Sequence, residues 1–190
     1  MRVILAEKPS VAQSIAAVLG ADQKKNGYLQ GENDLVSWCI GHLIELAPPE
    51  IYDARYAKWR REDLPIVPSA WESVVSDGTK KQFAVLKDLL NRTDVDEVVC
   101  ATDAGREGEL IFRMVYEKTG CTKPVKRLWI SSLEESAIRE GFRSLKPGTA
   151  YDALYRAALC RAQADWLVGI NGTRLYSRLY GTKLNVGRVM

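Results

Sequence analysis

The chain has 190 residues, 46% of them hydrophobic, and a formal net charge of +3. That length supports one sizeable core with a short appendage, while no apolar run approaches the length of a membrane-spanning helix. Cys39, Cys100, Cys121 and Cys160 are scattered without a CxxC pair and His42 is the single histidine, which excludes zinc ribbons, disulfide frames and multi-histidine metal centres.

In chain order, residues 3–6 are apolar and predict a buried strand, and Met1-Arg2-Val3 reads as the lead into that strand rather than as a signal peptide. Pro9 suits the first turn of a helix over 11–19, and Gly20 stands where a C-cap glycine would. Glu7 and Lys8 therefore occupy a strand-to-helix turn. Residues 28–30 and 35–40 predict two strands joined by a turn at 31–34, and Gly41-His42-Leu43 follows directly. A lone histidine is usually a packing residue. From Pro48-Pro49 to Pro68 runs an irregular crossing with Tyr52, Tyr56, Trp59, Arg60 and Arg61. Aromatics among arginines either stack bases and hold phosphates, or pin a loop to the surface; both readings are open at this point. A strand over 71–75 leads through Ser76-Asp77-Gly78, read as a cap, into a helix whose Phe83, Leu86, Leu89 and Leu90 recur at helical spacing.

The second half opens on Val98-Val99-Cys100-Ala101-Thr102-Asp103-Ala104-Gly105-Arg106-Glu107-Gly108-Glu109, a predicted strand running through a polar turn into a helix. In open α/β sheets such turns lie at the carboxyl edge, where ligands bind. Three acids this close repel unless a cation sits among them; equally, acids in a first helical turn simply favour the helix dipole. If the two strands are neighbours, Glu7 faces Asp103 and Glu107. Residues 125–130 predict another strand, and Ser132 with Glu135 fits a capping box for a helix over 133–142. Alternating strands and helices with short joints predict an α/β fold, a Rossmann-like parallel sheet flanked by helices. Lys146-Pro147-Gly148 marks the expected domain boundary, giving domains over 1–146 and 147–190. Residues 149–178 then predict one long helix, bent or broken near Gly169 and Gly172. From Tyr151 onward six basic residues stand against two acidic ones, and before it 21 against 22. A slightly acidic body with a basic tail suits a metal-binding domain joined to a polyanion-binding segment, although a solvated helix face gives the same count.

Taken together, Ala6-Glu7-Lys8-Pro9-Ser10, the 101–109 block, Arg127-Leu-Trp-Ile-Ser-Ser132, Arg161-Ala-Gln-Ala-Asp-Trp-Leu-Val-Gly-Ile-Asn171 and Asn185-Val-Gly-Arg-Val189 resemble the TOPRIM domain and following helical segment of type IA DNA topoisomerases of the topoisomerase III type. Five blocks in the right order cover essentially the whole chain. One departure stands out: the family pattern Asp-x-Asp-x-Glu has Gly105 at its middle position.

The resemblance implies an ATP-independent enzyme that breaks, passes and rejoins single DNA strands. It implies that Glu7 handles the proton on the departing and returning 3′-hydroxyl, and that Lys8 stabilises charge on the scissile phosphate. Glu7, Asp103 and Glu107 are the implied ligands of Mg2+, with Mn2+ as a substitute. Glu109 is placed to replace the missing carboxylate in part, and Arg106 to hold the acidic loop together. His42, Arg161, Asp165, Trp166, Arg174 and Arg188 are the implied contacts to single-stranded or underwound DNA, and Met190 stands where the family has a glutamine. Tyr176-Ser177-Arg178 lacks the proline of the family's Tyr-Pro-Arg context, so the nucleophilic tyrosine is expected in a later domain and the chain reads as an amino-terminal fragment, inactive alone. A monomeric cytoplasmic protein without membrane contact is the accompanying expectation. A stand-alone TOPRIM nuclease or primase-like protein would explain the acids but not the last two blocks; a non-catalytic metal or nucleic-acid module is the third reading. A nucleotide-binding Rossmann domain is weaker, since Gly105 and Gly108 lack the full glycine fingerprint.

Overall fold

The computed structural model describes residues 1–187, so the expected contact at Arg188 lies outside it. Two compact units divide the chain. Unit 1 holds Met1–Ile44 and Val75–Ala158; unit 2 holds Glu45–Val74 and the chain from Leu159 onward. Residues 146 and 147, where the boundary was expected, both fall within unit 1.

The elements run β1 (Arg2–Ala6), α1 (Pro9–Leu19), β2 (Gln23–Lys25), β3 (Tyr28–Gln30), β4 (Asp34–Trp38), β5 (Ile44–Leu46) and α2 (Pro49–Tyr52). They continue with β6 (Ser73–Val75), α3 (Lys80–Leu90), β7 (Glu97–Ala101), α4 (Arg106–Thr119), β8 (Val125–Arg127), α5 (Glu135–Arg143), β9 (Lys146–Pro147) and α6 (Asp152–Tyr180). Unit 1 carries a sheet of order β2-β3-β4-β1-β7-β8-β9. Its centre is parallel, β4 on β1, β1 on β7 and β7 on β8, whereas β2, β3 and β9 add antiparallel edges. The fold is therefore mixed α/β with a mostly parallel sheet between helices.

The continuous apolar runs have a direct cause. β1 and β7 are covered on both faces, and Val3, Ile4, Leu5, Val98, Val99 and Cys100 are wholly buried. α1 and α5 pack Ile15 and Ile138 into the same core as Ile4, Val36, Val99 and Leu128. Gly20 ends α1 in the left-handed region, with φ 72°. β2 was not legible in the sequence, since Gln-Lys-Lys is exposed throughout and shows no apolar alternation.

Several local expectations are corrected. The helix after Ser76 begins only at Lys80, because a tight 3-10 turn over Asp77–Thr79 intervenes, and Ser76 gives no side-chain cap. The capping box is absent: α5 starts at Glu135, and Ser132 Oγ instead accepts from Glu134 N at 3.2 Å. The strand expected over 125–130 stops at Arg127. Cys39, Cys100 and Cys121 are buried as expected, but Cys160 is exposed on α6. α6 runs unbroken through Gly169 and Gly172. Gly172 is small for a packing reason: a Cβ there would lie 2.9 Å from Val186 Cγ1.

Candidate active site at the carboxyl edge of the sheet

Parallel pairing of β1 with β7 sets Ala6 opposite Ala101, so the chain leaves both strands at one edge. The next residues are Glu7 and Lys8 on one side, Thr102 and Asp103 on the other. Glu7 is 9% exposed and its carboxylate accepts a hydrogen bond from Asp103 N at 3.2 Å. Lys8 precedes α1 in extended conformation and reaches Asp103 Oδ2 at 4.0 Å, with both side chains more than half exposed. The expected neighbourhood of Glu7, Lys8 and Asp103 is thus formed in unit 1. Glu107 lies in the first turn of α4 and meets His42 Nε2 through Oε1 at 2.6 Å. The Gly41-His42-Leu43 block therefore borders the acidic motif.

Two glycines shape the turn differently. A Cβ on Gly108 would collide with the carbonyl oxygen of Asp103 and lie 2.9 Å from its nitrogen, so only glycine lets α4 pass this close. Gly105 precedes α4 in extended backbone, and a Cβ there would meet nothing within 4 Å. Thr102 Oγ1 donates to Gly108 O at 2.8 Å and closes the loop. Beside it a groove of about 360 Å3 is lined by Val11, Asp103, Ala104, Ile130, Ser131, Ser132 and Leu133.

Two expectations about this loop change. Glu109 is only 1% exposed and pairs with Arg113 at 3.0 Å and Arg127 at 3.0 Å, so it does not stand in for the carboxylate missing at Gly105. The loop is held by Arg127, whereas Arg106 is exposed. Arg127 stands in one of the sequence blocks, but its role is hidden there, because its partners other than Leu128 lie 18 to 27 positions away. The Cys100 thiol under the loop is pushed up to about 11 by burial, against the pull of Arg127, and is inert at neutral pH.

Among the described residues no group of three or more His, Cys, Asp or Glu side chains is gathered closely enough to hold a metal ion. The donor chemistry nevertheless fits a hard divalent cation. Asp103 and Glu107 offer exposed carboxylate oxygens, and Mg2+ is commonly held by one or two carboxylates, its other positions going to water and phosphate.

Unit 2 places the remaining expected residues. Trp166 donates from Nε1 to Ala47 O at 3.0 Å and lies edge-on to Trp71 and Tyr52. Arg174 is 5% exposed; it donates to Tyr56 O at 2.7 Å and lies over Trp59 with Glu50 at 3.9 Å. Burial lowers the Arg174 pKa from its ordinary value. Asn171 brackets Ile66, accepting from its nitrogen at 2.6 Å and donating to its oxygen at 3.0 Å. These side chains pin the 47–66 crossing, and Tyr52 and Trp59 serve that packing. Arg161 is exposed on α6 and Asp165 half-buried. Tyr176 is 46% exposed and stacks on Tyr180, with ring centroids 6.3 Å apart.

The Toprim domain family matches residues 2–133. DNA topoisomerase 3 of Shouchella clausii is 54% identical over 188 residues, covering 99% of this chain and 26% of that protein. DNA topoisomerase 3 of Bacillus anthracis is 52% identical over 187 residues, covering 98% and 26%. The chain thus spans about a quarter of the length of the curated relatives it matches. Full-length topoisomerase I from Thermotoga maritima shares the fold, with a TM-score of 0.66 at 24% identity over 98% of this chain and 28% of that one. No helix among the described residues is long and apolar enough to cross a membrane. With its acidic turn at the edge shared by β1 and β7 and the match spanning the strands that build it, the chain belongs to the Toprim domain family.

Proposed function

We propose that this chain is the amino-terminal part of a type IA DNA topoisomerase of the topoisomerase III type, which breaks, passes and rejoins single strands of DNA without ATP. The observation that carries the reading is the meeting of Glu7, Lys8 and Asp103 at one sheet edge. A carboxylate, an ammonium and a second, exposed carboxylate within contact distance suit phosphoryl transfer, where positioning and charge dominate. Glu7, nearly buried, gives and takes the proton of the 3′-hydroxyl. Lys8, exposed and tethered only at 4.0 Å, is free to meet a phosphate as charge develops on it. Asp103 and Glu107 are the residues that would hold Mg2+ or Mn2+, which would supply positive charge next to the phosphate, whereas Glu7 meets Asp103 through its backbone nitrogen.

Single-stranded or underwound DNA is the partner in this reading, met by His42 in unit 1 and by Arg161 and Asp165 in unit 2, with Arg188, outside the described residues, as a further contact. Trp166 and Arg174 act on the strand indirectly, by fixing the crossing over 47–66. The nucleophilic tyrosine belongs to sequence beyond these 190 residues, since Tyr176 sits on a helix away from any Tyr-Pro-Arg context. The protein works as a monomer in the cytoplasm.

The test uses the full-length enzyme carrying Lys8→Ala. Single-turnover cleavage of a labelled strand is expected to fall at least about 100-fold, as for loss of one transition-state charge partner, while strand affinity falls only a few-fold. Equal losses in cleavage and binding would show Lys8 to be an ordinary phosphate contact. A second reading, a metal-dependent nuclease, is favoured instead if the 190-residue chain itself nicks single strands.

A further inference from the structure

The ladder between β7 and β8 ends early. Val98, Val99 and Cys100 pair with Val125, Lys126 and Arg127, and Leu128 N then donates to Cys100 O at 2.9 Å. Beyond that point no strand among the described residues receives the carbonyls of Thr102 and Asp103. The Arg127 side chain takes the strand's place. From a wholly buried position its Nη1 donates to the oxygens of Cys100 at 3.2 Å, Thr102 at 2.8 Å and Leu128 at 2.6 Å. Its Nη2 donates to Asp103 O at 2.7 Å. Nε donates to Glu109 Oε2 at 3.0 Å, and Glu109 Oε1 accepts from Arg113, which is itself anchored on Gly148 O and Asp152.

A buried ion pair is weak evidence for stability, because its desolvation cost consumes much of its attraction. An apolar pair of equal volume could fill the space but could not receive two strand-end carbonyls. What the pair does that packing cannot is fix the backbone that carries Asp103. That backbone is gripped on both sides, at N by Glu7 and at O by Arg127. Glu109 is the group that orients the guanidinium, through one oxygen, while its other oxygen is committed to Arg113.

We infer that Glu109 and Arg127 are a positioning pair for the Asp103 carboxylate, with Glu109 acting through Arg127 and never as a cation ligand. This rests on the reading of Asp103 and Glu107 as holders of a divalent cation. Supporting groups behind metal ligands typically cost 10–100-fold in affinity when removed.

The test is a double-mutant cycle on the 190-residue chain, with Mn2+ alone as the probe and free Mn2+ followed by electron paramagnetic resonance. Circular dichroism melts establish that each variant is folded at the temperature used. Arg127→Lys keeps a charge beside Glu109 but loses the fork, and is expected to weaken Mn2+ binding about 10-fold. Glu109→Gln is expected to weaken it comparably, and Glu109→Gln/Arg127→Lys no further than Arg127→Lys alone. Arg113→Met, which leaves Arg127 in place, is expected to stay within twofold of the unsubstituted chain. Affinity unchanged in Arg127→Lys, or losses that multiply in the double variant, overturn the inference while leaving the cation reading intact. Absence of Mn2+ binding by the unsubstituted chain overturns both. Where a variant does not fold, the unsubstituted chain decides: the Nε–H signals of Arg127 and Arg113 should stay slow to exchange at saturating Mg2+. Faster exchange of both on Mg2+ addition would show Glu109 leaving them for the cation, and overturn the inference.

Discussion

Gly105 and Gly108 stand three residues apart in the acidic turn, yet the structure gives them opposite tolerances. Gly105 has an extended backbone and open space where a side chain would go. Gly105→Asp should therefore fold as well as the parent and add a third exposed carboxylate beside Asp103 and Glu107. Calorimetric titration is expected to show tighter Mn2+ binding; unchanged or weaker affinity would mean that another group already completes the site. Glu109 is an unfavourable candidate for that group, since each of its oxygens is engaged by an arginine. Gly108→Ala should do the reverse, because its methyl would enter the Asp103 backbone. A loss of roughly 3 kcal/mol, the upper end of overpacking costs, is expected, read as a lower melting temperature together with lost Mn2+ binding. Glu7, Lys8 and Asp103 were legible in the sequence because two short apolar runs, each ending in charged residues, predict adjacent strands with one common edge. Arg127 and Glu109 were not: charge in a motif reads as function, and only packing reveals that these charges face inward.

At the level of elements, the regular parts follow periodicity and the departures follow long-range contacts. β1, β7, α1 and α6 appear where the pattern places them, since each carries its own apolar run or helix-forming composition. β8 ends three residues short of its apolar pattern, because the Arg127 side chain meets the carbonyls a longer ladder would have used. The 47–66 crossing carries no periodic signal at all; its conformation comes from side chains on α6, more than 100 positions away in sequence. Asn171 is the most demanding of these, because it satisfies both the nitrogen and the oxygen of Ile66, a residue only 1% exposed. Asn171→Ala leaves those backbone groups without partners, at about 1–3 kcal/mol for each group that water does not reach. The expected outcome is a lower melting temperature and faster limited proteolysis within residues 53–64. A variant that melts and resists protease like the parent would show that the aromatic contacts of Trp166 alone hold the crossing.

For the whole chain, the electrostatics point to weak, salt-sensitive strand binding without chemistry. The basic tail carries six Lys and Arg, but Arg174 is buried on Tyr56 and Trp59 and offers no free charge. Arg156, Arg161, Arg178 and Lys183 remain exposed among the described residues, spread over nearly thirty positions. One strand following one helix face meets only some of them. With about two or three phosphates neutralised, the logarithm of affinity should fall against the logarithm of salt concentration with a slope of roughly −1.4 to −2. Fluorescence anisotropy with a labelled single strand at several salt concentrations measures that slope directly. Arg161→Ala should reduce it by about 0.7, the share of one phosphate contact on a single strand. Arg174→Ala should leave it unchanged while lowering the melting temperature. Cleavage is a separate matter, because an in-line attack needs a nucleophile aimed at the phosphate that the proposed function assigns to Lys8. The tyrosine with a superficially suitable neighbourhood, Tyr176, is stacked on Tyr180. Incubation of the chain with labelled single strands and Mg2+, stopped with denaturant, should yield no covalent protein–DNA band. A band that vanishes in Tyr176→Phe would overturn the placement of the nucleophile beyond these residues. A slope near zero with measurable affinity would show stacking, not phosphate contact, to carry the strand.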